Sequence, residues 1–242
     1  MQIKEIVERN TQFILDLPVS RPNKVRLLQI LYRSLSFDSQ IYVLLHGSTA
    51  IAPGGQAIIF GDGVDCLGKT SCALALALAS KRFVVDEFSL YNCLTGTVYG
   101  NRSLPILLRE AALSFFREIQ EEAQDGEVFL APEKLGLEVA DAKIAAVVSP
   151  HPAEHTAMVE EKDPLRKLRK LAILVNAHRL KFAEEGLDRN DGFADRVRKI
   201  EMVDYTVGYV VPEELTKLPY YDAYLRHPKD VVDLLKEVIK DG

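Results

Sequence analysis

Apolar residues recur at helical spacing in the first part of the chain. Between residues 2 and 17 they stand three or four positions apart, which predicts an amphipathic helix. The apolar positions are Ile3, Ile6, Val7, Phe13, Ile14 and Leu17. A second helix is predicted to begin at Pro22, because proline is favoured in the first turn of a helix. We expect these helices, within residues 1–38, to pack on the core rather than to form a separate domain.

The pattern changes to short apolar runs after residue 40. QIYVLLHG predicts one strand, and TAIAPGGQAIIFG predicts two strands joined by a turn at Pro-Gly-Gly. The second of these strands leads into a glycine-rich loop, and an alanine-rich helix is predicted over residues 69–80. A hairpin, rather than a parallel strand, precedes the loop, so we expect a mixed sheet.

Strands and helices alternate over the rest of the chain, which is typical of the α/β class. The predicted strands are RFVVDEFSLYN, TGTVYG, KIAAVVSP and VDYTVGYVV, and the predicted helices cover residues 109–123, 164–184 and 228–240. SPHPAEHTA is predicted to be an exposed loop, because Pro152 disfavours a helix. No Gly/Ser-rich linker divides the sequence, so we expect residues 39–242 to form a single domain together with the N-terminal helices.

Composition narrows the class of protein. The chain has 242 residues, of which 48% are hydrophobic, as in globular proteins. Its net charge of −5 argues against non-specific nucleic-acid binding, which needs a surplus of Lys and Arg. The odd number of cysteines and the charged N-terminus favour a cytoplasmic protein without a signal peptide. The longest apolar run, residues 72–79, is too short to span a bilayer, so we expect no membrane partner.

The glycine-rich loop carries the clearest chemical motif. Gly63, Gly68, Lys69 and Thr70 match G-x-x-x-x-G-K-[ST], whose backbone N–H groups and helix N-terminus surround phosphate oxygens. Lys69 is expected to reach the β and γ phosphates of ATP, and the Thr70 hydroxyl to ligate Mg²⁺. The predicted nucleotide-binding residues are Gly63, Val64, Asp65, Cys66, Leu67, Gly68, Lys69, Thr70 and Ser71. The alternative is a strand-to-helix turn with an incidental lysine.

Two adjacent carboxylates, Asp86 and Glu87, follow the apolar run RFVV. Nucleotide-binding folds hold Mg²⁺ or its water at such a strand end. Neighbouring strand residues point to opposite faces, so one carboxylate could meet the metal while the other faces the phosphate acceptor. Repulsion between the two carboxylates favours a raised pKa for one of them, and a raised pKa suits a general base. The alternative is a solvated strand end.

The order of these features resembles the catalytic domain of HPr kinase/phosphorylase, a relative of the phosphoenolpyruvate carboxykinases. The shared features are a strand ending in His46-Gly47, a hairpin, a phosphate loop, a helix and an apolar strand that closes on two acids, over about residues 40–110. The resemblance implies an α/β fold with a mixed sheet, of the HPr kinase/PEP carboxykinase P-loop type. It also implies an enzyme that uses ATP and Mg²⁺ to phosphorylate a hydroxyl group.

The resemblance also implies roles for individual residues. Asp86 matches the base that takes the proton of the acceptor hydroxyl, and Glu87 stands nearer the metal, which Thr70 helps to hold. His46 matches a histidine close to the phosphates; the alternative is a strand-end histidine that is hydrogen-bonded to a loop.

An arginine is expected to stabilise the charge of the transferring phosphoryl group. Arg102 and Arg109 both follow the carboxylates, and each could instead pair with a surface acid such as Glu110. The chain departs from the family here, because GNRSLPIL lacks the leading acid and the second glycine of E-x-R-G-L-G. Phosphorylation of HPr itself therefore does not follow from the resemblance.

Two later segments are less specific. His151, Glu154 and His155 in SPHPAEHTA could form a metal site, a substrate lid or a polar surface loop. The helix over residues 164–184 carries Arg166, Lys167, Arg169, Lys170, His178, Arg179 and Lys181 around an apolar stripe. This basic face could be solvated, or could contact a nucleotide base, an acidic substrate or a second subunit of a homo-oligomer.

Three functions are compatible with these features. The first is a kinase that phosphorylates a small molecule or a protein serine. The second is a module that binds nucleotide without efficient transfer, for which neither His46 nor Asp86 would be needed. The third is a carboxykinase-like enzyme that acts on a small carboxylic acid, although the sequence shows no equivalent of the extra metal ligands of that class.

Overall fold

The computed structural model describes residues 3–19, 24, 27–28, 30–32, 41–61, 68–117, 119, 126–183 and 211–238. Phosphate-loop residues 62–67, the expected boundary at residue 38 and all but the last residue of the predicted strand VDYTVGYVV lie outside these ranges.

The described chain is α/β, as the alternating pattern predicts. Its strands are β1 Tyr42–His46, β2 Ser48–Ile51, β3 Ala57–Phe60, β4 Arg82–Val85, β5 Phe88–Asn92, β6 Thr97–Val98, β7 Ile106–Arg109, β8 Glu127–Leu130, β9 Glu138–Val139, β10 Ala142–Pro152, β11 Ala157–Glu160 and β12 Tyr220–Leu225. Its helices are α1 Ile3–Asp16, α2 Lys69–Ser80, α3 Glu110–Leu113, α4 Pro164–Ala183, α5 Glu213–Lys217 and α6 Asp230–Val238, with a 3₁₀ helix at Pro132–Leu135. The described positions between 24 and 32 are also helical.

The main sheet is mixed, which confirms the expectation from the hairpin. β10 pairs in parallel with both β3 and β12, while β2 is antiparallel to β3 and to β4. Strands β3, β4, β10 and β12 therefore all end at the same side of the sheet, where β2 begins. We call this side the carboxyl edge, and it is where open α/β sheets bind their ligands.

Two apolar clusters cover the two faces of this sheet. Ile59 and Val147 belong to the cluster that includes α1 and α4, whereas the next residues along, Phe60 and Val148, belong to the cluster that includes α2 and α6. The alternation follows from the two-residue period of a strand. Among the described residues, no helix is long and apolar enough to cross a membrane.

The N-terminal helices contribute to the first cluster. Val7 of α1 and Tyr32 of the following helical residues are buried there. The side-chain amide of Asn101 donates hydrogen bonds to Thr11 Oγ1 at 3.1 Å and to Tyr32 Oη at 2.6 Å. These contacts attach the N-terminal helices to the chain segment between β6 and β7.

The segment SPHPAEHTA is partly a strand. The prediction of an exposed loop was wrong for His151 and Pro152, which continue the predicted strand KIAAVVSP, and for Ala157, which begins β11. β10 continues through Pro152 and pairs with β12 in the register Ser149↔Asp222 to Pro152↔Leu225. The carbonyl of Val148 accepts a hydrogen bond from Gly61 N–H on the β3 side. Residues 150 and 152 face this same side, beyond the end of β3. Proline has no N–H group, but none is needed there for pairing with β12, so the strand tolerates Pro150 and Pro152.

Two further element predictions were wrong. Residues 109–123 were expected to be one helix, but Arg109 ends β7, because β7 pairs with the distant β8. Of the described residues from 110 to 117, only Glu110–Leu113 form the helix α3, and residues 118 and 120–123 lie outside the described ranges. RFVVDEFSLYN was expected to be one strand, but it divides at Asp86 and Glu87. β4 pairs with β2 and β9, whereas β5 pairs with β1 and β6, so the chain changes partners at the two acids.

Two glycines allow the chain to cross closely at the carboxyl edge. A Cβ atom on Gly47 would lie 2.6 Å from the carbonyl oxygen of Phe60, and a Cβ atom on Gly61 would overlap Leu174 of α4. The segment between β1 and β2 can therefore pass directly beside the residues that lead into the phosphate loop.

We predict that Gly47→Ala lowers the free energy of unfolding by about 2–3 kcal/mol, because overpacking against backbone cannot be relieved by a rotamer change. Gly136→Ala is the control, since a Cβ atom there meets nothing within 4 Å and only the positive φ of 65° is unfavourable. The control should lose about 1 kcal/mol in urea denaturation. Equal losses for the two variants would contradict the close crossing.

Candidate functional site

A buried carboxylate lies at the carboxyl edge, directly after β4. Asp86 is 3% exposed. Its Oδ1 atom accepts hydrogen bonds from Ser48 Oγ and, at 3.0 Å, from Thr70 Oγ1, while its Oδ2 atom accepts one from the backbone N–H of Leu107 at 2.8 Å. The three donors belong to β2, α2 and β7, so Asp86 joins three separate elements.

Burial raises the pKa of Asp86, because desolvation penalises the charged form. The hydrogen bonds from Ser48, Leu107 and Thr70 act in the opposite direction and limit this rise in pKa. A carboxylate in this position would gain strongly from a neighbouring cation, which would replace part of the lost hydration.

Thr70 and Asp86 bring a hydroxyl oxygen and a carboxylate together. Hydroxyl and carboxylate oxygens are the ligands that Mg²⁺ prefers, and phosphates usually complete its coordination. Among the described residues, no group of three or more His, Cys, Asp and Glu side chains could hold a metal on its own. A metal held by Thr70 and Asp86 would need further ligands from outside this pair.

Thr70 reaches Asp86 from the first turn of α2. The preceding Gly68 has a φ of 87°, a conformation that favours glycine, and its carbonyl accepts the N–H of Cys72 at 2.8 Å. Lys69 and Thr70 are partly exposed, whereas Ser71 is buried. The predicted residues Gly63, Val64, Asp65, Cys66 and Leu67 lie outside the described residues.

Glu87 has an unfavourable backbone conformation. Its φ is 61°, and the N–H of Phe88 donates to the carbonyl of Asp86 at 2.6 Å across it. This three-residue turn with positive φ is rare and strained for a residue other than glycine. The turn leaves Asp86 buried and Glu87 partly exposed, so the two adjacent acids have different environments.

His46 lies in the same corner of the molecule. It is the last residue of β1, is 2% exposed and pairs with Phe88 in the sheet. Gly47 and then Ser48 follow, and Ser48 contacts both Asp86 and, at 3.2 Å, Thr70 Oγ1. The structure thus brings the His-Gly strand end, the start of α2 and the acidic pair together.

The two candidate arginines lie on segments that both approach Asp86. Arg109 stands two residues beyond Leu107 on β7, and Arg102 follows Asn101, whose N–H donates to the carbonyl of Val84 at 3.2 Å. Both arginine side chains are exposed. The structure does not favour one arginine over the other.

Sequence reasoning missed Ser48 and the N–H of Leu107. Ser48 directly follows His46-Gly47, and a polar residue at the first position of a buried strand is a weak signal of a role at a strand end. Leu107 could not have been found, because its contribution comes from the backbone.

A second polar group lies at the carboxyl edge, at the ends of β10 and β12. We call it the His151 cluster: His151, Glu161, Lys170 and Asp222. Asp222 contacts His151 Nε2 at 2.9 Å and Lys170 Nζ at 2.5 Å, and Lys170 also contacts Glu161 at 3.1 Å. Lys170 is therefore not simply part of a solvated basic face. The ring of His155 stacks on Tyr224.

Opposing effects act on the pKa values in this cluster. Burial alone would raise the pKa of Asp222, but hydrogen bonds from His151 and Lys170 and the positive charge of Lys170 outweigh it, so the pKa is lowered. Burial alone would lower the pKa of Lys170, but the two carboxylates raise it. The cluster thus favours ionised Lys170 and Asp222 at neutral pH.

Comparisons with protein-family models, curated proteins and solved structures find no match to this chain.

We predict that the strain of the turn at Glu87 can be measured by comparing two substitutions at this position. Glu87→Gly should be more stable than Glu87→Ala by about 1 kcal/mol, because only glycine adopts positive φ without a steric penalty. Lys81, which directly precedes β4, has the same φ of 61° and lies away from the acids. Lys81→Gly and Lys81→Ala are therefore the matched control variants. Urea denaturation would contradict the strain if the glycine and alanine variants at position 87 unfolded at the same concentration.

We predict that Asp222→Asn destabilises the protein at pH 7 but not in acid. A lowered folded-state pKa contributes stability above the unfolded pKa of about 4, and this contribution is lost as the pH falls through the folded value. The difference between wild type and variant should therefore shrink as the pH falls below the unfolded pKa of about 4. Asp233→Asn, at an exposed ion pair on α6, should change stability little at either pH. A loss that is independent of pH would contradict the charge-based role of Asp222.

Proposed function

We propose that the chain is a phosphotransferase of the HPr-kinase-like P-loop type, which transfers the terminal phosphoryl group of ATP to a hydroxyl group. The proposal rests on the hydrogen bond of 3.0 Å from Thr70 to Asp86. Thr70 closes the phosphate-binding motif and Asp86 begins the acidic pair, and this contact joins two features that are separate in the sequence.

Thr70 and Asp86 are the residues that would hold Mg²⁺, directly or through a water molecule. Mg²⁺ would neutralise negative charge on the transferring phosphoryl group. Ser48 supports this arrangement, because its hydroxyl contacts both residues and keeps the Asp86 carboxylate oriented. Lys69, one position before Thr70 on the same turn, would contact the phosphates.

The contacts favour a change in the roles of the two acids. The family resemblance makes Asp86 the base and places Glu87 near the metal. Asp86, however, is 3% exposed and accepts hydrogen bonds on both oxygens, which suits the metal side of the site. We assign the base role to Glu87, which is partly exposed and would accept the proton as the acceptor oxygen bonds to the γ-phosphorus and the β–γ bridging bond breaks.

A nucleotide-binding module without efficient transfer is the second candidate. The deep burial of Asp86 favours it, since a carboxylate that only orients Thr70 is sufficient to bind a metal–nucleotide complex. The acceptor of a kinase, whether a small molecule or a protein serine, follows from neither the motif nor the contacts of Asp86.

Binding and transfer by matched variants test the proposal. We predict that Lys69→Ala weakens binding of Mg²⁺–ATP at least about tenfold, since the lysine would contact two phosphates. Lys143→Ala, an exposed lysine at the opposite end of β10, should bind like the wild type. Calorimetry measures binding, and transfer from γ-labelled ATP to a panel of alcohols, sugars and serine peptides measures the reaction.

The residues that would hold Mg²⁺ are tested by the Mg²⁺ dependence of ATP binding. Thr70→Ala and Asp86→Asn should each reduce the Mg²⁺ dependence of ATP binding, and the double variant should lose little more, because residues that act as a unit are not additive. Glu87→Gln should abolish transfer and leave binding intact. ATP binding that is unchanged by Lys69→Ala would refute the proposal, whereas tight binding without transfer to any acceptor would select the binding module.

A further inference from the structure

Three aromatic rings lie against one another at the ends of β10 and β12. The Tyr224 ring is 5.3 Å from the His151 ring at an interplanar angle of 29°, and 6.1 Å from the His155 ring at 22°. These distances and angles are those of offset-stacked rings. Tyr224 is 36% exposed and the His151 side chain is 33% exposed, so part of the stack is accessible to a ligand.

The stack is held rigidly by the His151 cluster. Asp222 is 15% exposed and contacts the His151 ring nitrogen at 2.9 Å, which fixes the orientation of the imidazole. Lys170 in turn contacts Asp222 and Glu161 and lies 5.2 Å from the centre of the Tyr220 ring. A ring that is accessible and already oriented loses little conformational entropy when it binds a flat partner.

The ring stack lies at the same edge of the sheet as the network around Asp86. In the sequence β3 leads into the loop, and the N–H of Gly61 donates to the carbonyl of Val148 at 3.0 Å, within the part of β10 that pairs with β12. The network of Ser48, Thr70 and Asp86 lies on the other side of β3, beside β2 and β4. The network around Asp86 and the ring stack therefore lie at the same edge, on either side of β3 and on the faces covered by α2 and α4, respectively.

We propose that His151, Tyr224 and His155 form the subsite for the base of the bound nucleotide. The inference rests on the proposed function, because it places the phosphates and metal near Thr70 and Asp86. A nucleotide with its terminal phosphate on that side would extend its ribose and base across the edge of β3 towards the α4 face of β10 and β12. A flat heteroaromatic base would stack on the exposed part of the rings.

The test compares ATP with inorganic tripolyphosphate, which has the phosphates but no base. Calorimetry in the presence of Mg²⁺ should show that Tyr224→Leu weakens ATP binding about tenfold, as expected for the loss of one stacking contact, and leaves tripolyphosphate binding unchanged. His155→Ala, at an exposed position that does not endanger folding, should weaken ATP binding in the same direction. Tyr42→Leu, which removes a ring from the Tyr42–Tyr99 pair at the other end of β1, is the matched control and should bind both ligands normally.

A spectroscopic readout is independent of the variants. The ring proton resonances of His151 and His155 should shift when ATP is added to the wild type and should not shift with tripolyphosphate. Equal ATP affinity for wild type, Tyr224→Leu and His155→Ala would overturn the base subsite while leaving the phosphate site intact. Failure of the wild type to bind either ligand would overturn the proposed function and, with it, the base subsite.

Discussion

The burial of one carboxylate constrains the whole carboxyl edge of the sheet. Removing a charged group from water costs several kcal/mol unless hydrogen bonds replace the hydration. Asp86 receives them from Ser48, Thr70 and the backbone of Leu107, and each donor belongs to a different element. β2, α2 and β7 must therefore hold fixed positions around it. The strained turn at Glu87 has the same origin, because the chain must bury Asp86 and then change its pairing partners within two residues.

The two polar groups at this edge have different structural bases. The network around Asp86 depends on the close crossing at Gly47, which allows β2 to begin beside the end of β3. The His151 cluster depends on the extension of β10 beyond β3, where Pro150 and Pro152 are tolerated because the positions that lack an N–H group face away from β12. Together they place a carboxylate with hydroxyl groups on one side of β3 and oriented aromatic rings on the other.

The sequence predicted those elements whose apolar pattern is local and strong. The hairpin of β2 and β3, the helix α2, most of β10 and the helices α4 and α6 follow from such patterns. β7, β11 and β12 were not predicted, and the helix expected over residues 109–123 was wrong, because short strands are defined by distant partners rather than by their own residues. For the candidate site, the motif ending in Thr70 and the acidic pair were found, whereas Ser48 and Asp222 were not.

The sequence by itself determined which chemical groups are available: a lysine and a hydroxyl at the start of a helix, and two acids after an apolar strand. These features are local, so their meaning depends on the backbone of a few neighbouring residues. Only the tertiary structure decided that Asp86 rather than Glu87 contacts Thr70, and that His151 is oriented by Asp222. Both outcomes depend on strand register, since a shift of one residue turns a side chain to the opposite face of the sheet.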